Sequence, residues 1–326
     1  MSGAGRTSPT SEVALRLVED VADRYGTHVA LDDAGRRWAL GGESDIWLGS
    51  TSSAAAVSIG PDRPVYALGW SDDGAMLLAG LERYDLERET WLDVDDRTGA
   101  VLAASRPDLP DPQPRWSAVV AAASSGDGSQ VLVATRRHPA RDGSRGGGHG
   151  PVERLVALTV GAEGESATVL HAGSRENRAL AIGRRFLAAG GDTVRVWERT
   201  SLELVAELRH DFVARDLAFD PDGGRLAVVT ATGEVSIWEV DAANRSATYQ
   251  AHERDAYAVA FHPSGSFLAT GGQDGRLALW APDGTPLHEE RLDGWVETVA
   301  FSGDGTHLAA TTWGRPPHLV IYAVNG

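Results

Sequence analysis

The chain contains no cysteine and no lysine. Without cysteine there is no disulfide, no thiolate nucleophile and no thiolate-held metal. All 30 basic residues are arginine, which excludes Schiff-base chemistry, a phosphate-loop lysine and a lysine general base. The arginine-only usage fits codon bias in a GC-rich genome, expected to be bacterial, and carries no functional reading. Long apolar runs are missing as well. None approaches the ~20 residues that a membrane-spanning helix needs. The opening MSGAGRTSPTSEVALRLVED has no apolar signal-peptide core. A soluble, cytoplasmic protein without membrane contact is therefore expected. Positive charge is scarce. A formal net charge of −16 repels phosphate backbones, so no direct nucleic-acid partner is expected.

What is present is repetition. At 326 residues the chain exceeds an ordinary single core, and two domains would be the default. Repeats escape that limit, because each unit adds its own piece of core. A hydrophobic fraction of 42% with 10 tryptophans is globular and not disordered.

Four segments superpose: LGWSDDGAMLLAG (68–80), LAFDPDGGRLAVV (217–229), VAFHPSGSFLATG (259–271) and VAFSGDGTHLAAT (299–311). Each is an apolar strand, an aromatic, a polar turn closing on glycine, and a second apolar strand, which is hairpin chemistry. Gly223 to Gly265 is 42 residues, and Gly265 to Gly305 is 40. A third strand then ends on an aromatic, as in TVRVWE, VSIWEV, LALWAP and LVIYAV. Trp197, Trp238, Trp280 and Tyr322 follow one another at 41, 42 and 42 residues. A fourth strand, such as LELVAEL (202–208), follows each of the first three. Four short strands per period of about 40–45 residues make a propeller blade.

The pattern resembles the WD40 repeat, most closely over AHERDAYAVAFHPSGSFLATGGQDGRLALW (251–280). That family's repeat opens with Gly-His and closes with Trp-Asp. Here the pairs read Ala251-His252 and Trp280-Ala281, with Trp197-Glu198 and Trp238-Glu239 elsewhere. The repeats are divergent, and the resemblance is strongest over 212–324. It implies an all-β fold: a seven-bladed β-propeller of four-stranded antiparallel blades, with residues 1–326 forming a single domain. The blades parse as 28–60, 64–105, 116–171, 177–209, 212–250, 254–292 and 295 onward. Residues 1–10 read as a flexible tail. The seventh blade has only three strands of its own, and residues 12–19 (EVALRLVE) are expected to supply its outer strand and close the ring.

The resemblance also places His252, Thr270, Asp274 and Trp280 at the family's structural tetrad, a buried hydrogen-bond chain within a blade. The set mimics a catalytic triad, but repeat spacing explains every member. Blade 5 keeps His210 and Trp238 and has Val228 and Thr232 at the other two places, so its network is expected to be incomplete. Segment 93–99 (DVDDRTG) faintly matches a Ca²⁺ loop but has Arg97 where a ligand belongs. It is read as the turn between third and fourth strands of blade 2, with no metal. The basic, glycine-rich stretch 136–150 lacks the ending of a phosphate loop. It reads as a flexible loop inserted between the second and third strands of blade 3, with a docking arm for an acidic partner as the sharper alternative. The Pro-rich 106–115 reads as an extended connection between blades 2 and 3. No catalytic motif and no cofactor site stand out.

In that family, partner contacts sit where loops lead into the innermost strands, four and six residues before the anchor aromatic. Counting back gives Tyr66, Arg215, Tyr257 and Glu297 at minus four. Tyr25, Asp255 and Trp295 lie at minus six. Gln273 should face the same way. The set is rich in residue types that dominate interface hot spots. Binding of one or more proteins or peptides through this rim, without catalysis, is the expected function. A ligand or enzyme site in the central channel is the alternative.

Overall fold

The computed structural model describes residues 13–22, 26–42, 45–60, 68–71, 75–79, 82–88, 90–92, 117–125, 129–137, 152–161, 164–173 and 179–325. The described secondary structure is entirely β. Strand β1 is Ala14–Ala22. Blade 1 holds β2 (His28–Leu31), β3 (Arg37–Gly41), β4 (Ile46–Ser50) and β5 (Ser53–Ser58). Blade 2 holds β6 (Gly69–Trp70), β7 (Met76–Ala79), β8 (Glu82–Asp85) and β9 (Thr90–Leu92). Blade 3 holds β10 (Ser117–Ser124), β11 (Gln130–Arg137), β12 (Val152–Gly161) and β13 (Gly164–Gly173). Blade 4 holds β14 (Ala179–Ile182), β15 (Phe186–Gly190), β16 (Thr193–Glu198) and β17 (Leu204–Arg209). Blade 5 holds β18 (Ala214–Phe219), β19 (Arg225–Thr230), β20 (Glu234–Glu239) and β21 (Asn244–Gln250). Blade 6 holds β22 (Ala256–Phe261), β23 (Leu268–Gly272), β24 (Arg276–Trp280) and β25 (Pro286–Arg291). Blade 7 holds β26 (Trp295–Phe301), β27 (His307–Trp313) and β28 (His318–Asn325).

These strands form seven four-stranded antiparallel sheets, and the fold is a seven-bladed β-propeller. In the last sheet β1 pairs with β28, from Ala14 opposite Asn325 to Ala22 opposite His318. The pairing strand thus lies two to three residues further along than 12–19. Blade 2 differs from its expected layout too. Its outer hairpin joins β8 to β9 between Asp85 and Thr90, so WLDVDD opens on the fourth strand instead of forming the third. In blade 3, β11 continues through Arg137, paired with Val152, so the inserted segment begins after 137. Segments 1–12, 93–116 and 138–151 lie outside the described residues, and with them the tail, the Ca²⁺-like loop, the Pro-rich connection and most of the basic loop.

Burial follows strand position. The second strands β15 and β23 are buried at every residue, because both faces are covered by neighbouring blades. They are built from small residues (FLAAG, LATGG), which let blades approach closely near the axis. The outer strand β21 (NRSATYQ) is mostly exposed and polar. The core lies between blades. One cluster joins Val194, Val196 and Leu208 of blade 4 to Leu217, Leu226 and Val228 of blade 5. Another joins Val29, Trp38 and Leu40 of blade 1 to Ala309, Leu319 and Ile321 of blade 7.

The repeated hairpin has a common cause. Directly after the innermost strand, Asp32, Ser71, Ser125, Asp220 and Ser302 each accept the backbone N–H five residues on, at 2.9–3.1 Å. The turn closes on Gly35, Gly223, Gly265 and Gly305 at φ of 62–75°, a left-handed conformation that favours glycine.

Candidate functional site

Each blade presents its innermost strand to the axis. In β18, β22 and β26 that strand carries a bulge at the same place. The register shifts between Ala214 and Asp216, between Ala256 and Ala258, and between Val296 and Thr298. The extra residues are Arg215, Tyr257 and Glu297, three of the positions expected at minus four. A bulge leaves its extra residue out of the ladder and re-aims the side chain.

The rim these residues form is continuous across blades 5, 6 and 7. Arg215 Nη2 donates to Asp255 Oδ2 at 2.6 Å, linking blade 5 to blade 6. Gln273 donates its backbone N–H to the Asp255 carbonyl at 2.8 Å. The Tyr257 and Trp295 rings lie 6.1 Å apart, centroid to centroid, linking blade 6 to blade 7. Trp295 meets Trp313 edge-on at 4.8 Å, a cross-strand pair in register. Partial burial, then the negative charge of Asp255, push the Tyr257 phenol up; Arg215 opposes this and Glu297 adds to it. The expected Tyr25 and Tyr66 lie outside the described residues.

Sequence reasoning missed Trp313, which is 50% exposed. It also missed Phe212 and Val213, exposed in the loop leading into β18. A signal was available for Trp313. It stands in TTWGRPPH (311–318), ahead of Gly and Pro-Pro, where the repeat has no anchoring role for a tryptophan. Together these side chains offer flat apolar area beside both signs of charge. That combination suits a peptide or protein surface.

The four tetrad positions are brought together within blade 6 and the loop that leads into it. Trp280 Nε1–H donates to Thr270 Oγ1 at 3.0 Å. Thr270 Oγ1 lies 2.9 Å from His252 Nε2, and His252 Nδ1 lies 3.0 Å from Asp274 Oδ1. The consistent wiring has the threonine hydroxyl donating to Nε2 and the imidazole donating through Nδ1 to the carboxylate. The backbone N–H of Glu253 and of Arg276 also donate to Asp274, at 3.0 and 3.1 Å. Burial raises the Asp274 carboxyl, but the hydrogen bond from His252 and those two N–H groups outweigh it and hold it at about 2. Thr270 is fully buried, so its hydroxyl has no approach for a substrate. In blade 5, His210 Nε2 and Trp238 Nε1 are buried without a hydrogen-bond partner. The His210 Nδ1 instead meets the Phe212 carbonyl.

Among the described residues, no group of three or more His, Asp or Glu side chains is placed to hold a metal ion. No described helix is long and apolar enough to cross a membrane. The family model described as WD domain, G-beta repeat (WD40) matches residues 243–281. The matched unit runs from the outer strand of blade 5 through the third strand of blade 6, and so straddles the seam between two blades. No curated protein matches the chain.

Proposed function

We propose that this chain, a divergent member of the WD40-repeat β-propeller family, is a non-catalytic scaffold that presents the rim of blades 5 to 7 to protein or peptide partners. The observation that carries this reading is the aromatic run from half-buried Tyr257 and Trp295 to exposed Trp313, flanked by the Arg215–Asp255 pair. Large rigid rings beside a charge pair give contact area at low entropy cost and supply direction as well. Glu297 and Gln273 complete the rim. The strongly acidic chain favours protein over nucleic-acid partners, and in this reading the protein works in the cytoplasm without a cofactor.

The test is co-purification from the native host with wild-type chain and with Tyr257→Ala combined with Trp295→Ala. The double variant should keep the fold, read by circular dichroism, and lose the proteins that the wild type retains. Recovery of the same proteins by both would assign the partner face elsewhere.

A further inference from the structure

A second recess lies at the opposite end of the same strands. In β26, Trp295 begins the strand and Phe301 ends it, so the rim and this recess are about 20 Å apart at ~3.3 Å per residue. The recess is a cavity of about 800 Å³ where the central channel opens among the hairpin turns. Its apolar wall comes from the ends of the innermost strands of five blades: Leu31, Trp70, Ile182, Phe219 and Phe301. Ile182, Phe219 and Phe301 are only half-buried, so they leave apolar surface facing the opening.

Most of the polar side chains in the wall are already engaged. Asp220 accepts from Arg225 through its backbone N–H and its Nε. Arg199 donates to Gln130 Oε1 and Ser129 Oγ, both at 3.0 Å. Ser71 and Ser125 hold their own hairpins. Asp304, next to the wall, accepts from Ser302 and Thr306. Two exposed lining residues, Arg184 and Asp33, have no side-chain hydrogen bond or ion pair among the described residues. They belong to blades 4 and 1, three places apart in a ring of seven, which is the widest separation such a ring allows.

We infer that this cavity binds a short peptide with both termini free, its carboxylate on Arg184, its ammonium on Asp33 and its side chains against the aromatic wall. Charge complementarity selects the zwitterion, because two charges of opposite sign, with no side-chain hydrogen bond or ion pair among the described residues, stand on opposite banks of a mainly polar recess that carries an aromatic patch. Size selects its length. A sphere of 800 Å³ is about 11.5 Å across, and an extended chain covers that in about three residues at 3.3–3.6 Å each. Cavities of roughly this volume are typical of small-ligand sites. The inference is independent of the partner rim.

The probe is the tripeptide Ala-Leu-Ala with free ends, against the same peptide acetylated and amidated, followed by calorimetry and by ligand-observed NMR. The free tripeptide should bind and the capped one should not. Arg184→Gln and Asp33→Asn should each weaken binding by about tenfold or more, the worth of one charge-assisted hydrogen bond. Both side chains are exposed and make no side-chain hydrogen bond or ion pair among the described residues, so the melting temperature should stay put in each. The Tyr257→Ala, Trp295→Ala double variant should bind the tripeptide like wild type, whatever it does to partner capture. Equal binding of free and capped peptides would overturn the assignment. So would no binding of either, or loss of binding in the rim variant.

Discussion

At the scale of single residues, two aspartates with opposite pH signatures stand out. Asp274 is held at about 2, below its ordinary 3.8. Its contribution is therefore complete above about pH 4 and fades as pH falls toward 2, where the folded state at last takes up the proton. Asp274→Ala strands the His252 Nδ1–H and the Glu253 N–H, and should cost about 1–3 kcal/mol in denaturant titrations at neutral pH. Asp216 is the reverse case. It sits half-buried in the seam between blades 5 and 6, where Oδ2 accepts the Val259 N–H at 2.9 Å and Oδ1 the Leu217 N–H at 2.8 Å. Desolvation pushes its carboxyl up to about 7, against those two hydrogen bonds. Between about pH 4 and 7 the folded state then holds a proton that the unfolded chain has released, so stability falls as pH rises through that window. Asp216→Asn should flatten the slope of melting temperature against pH there while leaving the acid limb set by Asp274. A slope unchanged from wild type would remove Asp216 as its source. The tetrad residues could be named because blade 6 resembles the WD40 repeat closely enough to carry that family's tetrad positions onto His252, Thr270, Asp274 and Trp280. Asp216 could not, because its partner N–H lies 43 residues away and no repeat position calls for a carboxylate.

At the scale of elements, the hairpin was legible and the bulge was not. Aspartate or serine before a glycine turn states its own geometry, and the five hairpins that share the side-chain cap obey it. The bulges at Arg215, Tyr257 and Glu297 leave no mark in composition, since an extra residue in a strand looks like any other. Counting back from the anchor aromatic nevertheless lands on them, because the bulge sits at a constant distance from the turn. Blade 2 shows where counting fails. The short strands β6 and β9 depart from the period, and the outer hairpin was placed too late in the chain. Strand β1 makes a further prediction. It covers the edge of β28 along eight paired residues, and Val13 and Leu15 pack against the seam of blades 6 and 7. Deleting residues 1–22 should uncover that edge, lower the midpoint of thermal unfolding and broaden the transition. An unchanged midpoint would mean the ring is held without it.

At the scale of the whole molecule, the seams between blades carry the hydrophobic core, so the sequence repeat and the structural blade need not coincide. The matched unit at 243–281 spans one seam, joining an outer strand to the three inner strands that follow it. The same offset leaves blade 7 one strand short and gives β1 its place. The ring also separates two surfaces by the length of one innermost strand. The proposed partner rim lies at one end, and the cavity lined by Arg184 and Asp33 lies at the other. Sequence alone determined the turn chemistry, the period and most of the strands, because these are local patterns repeated at constant spacing, and the seven-blade count came from the resemblance to the WD40 repeat. Tertiary structure alone decided which side chains from different blades meet. Tyr257 reaches Trp295 and then Trp313, Arg215 finds Asp255, and Asp33 and Arg184 line the same cavity from blades 1 and 4. Such meetings depend on how the blades are rotated about a common axis, and no repeat unit contains that information.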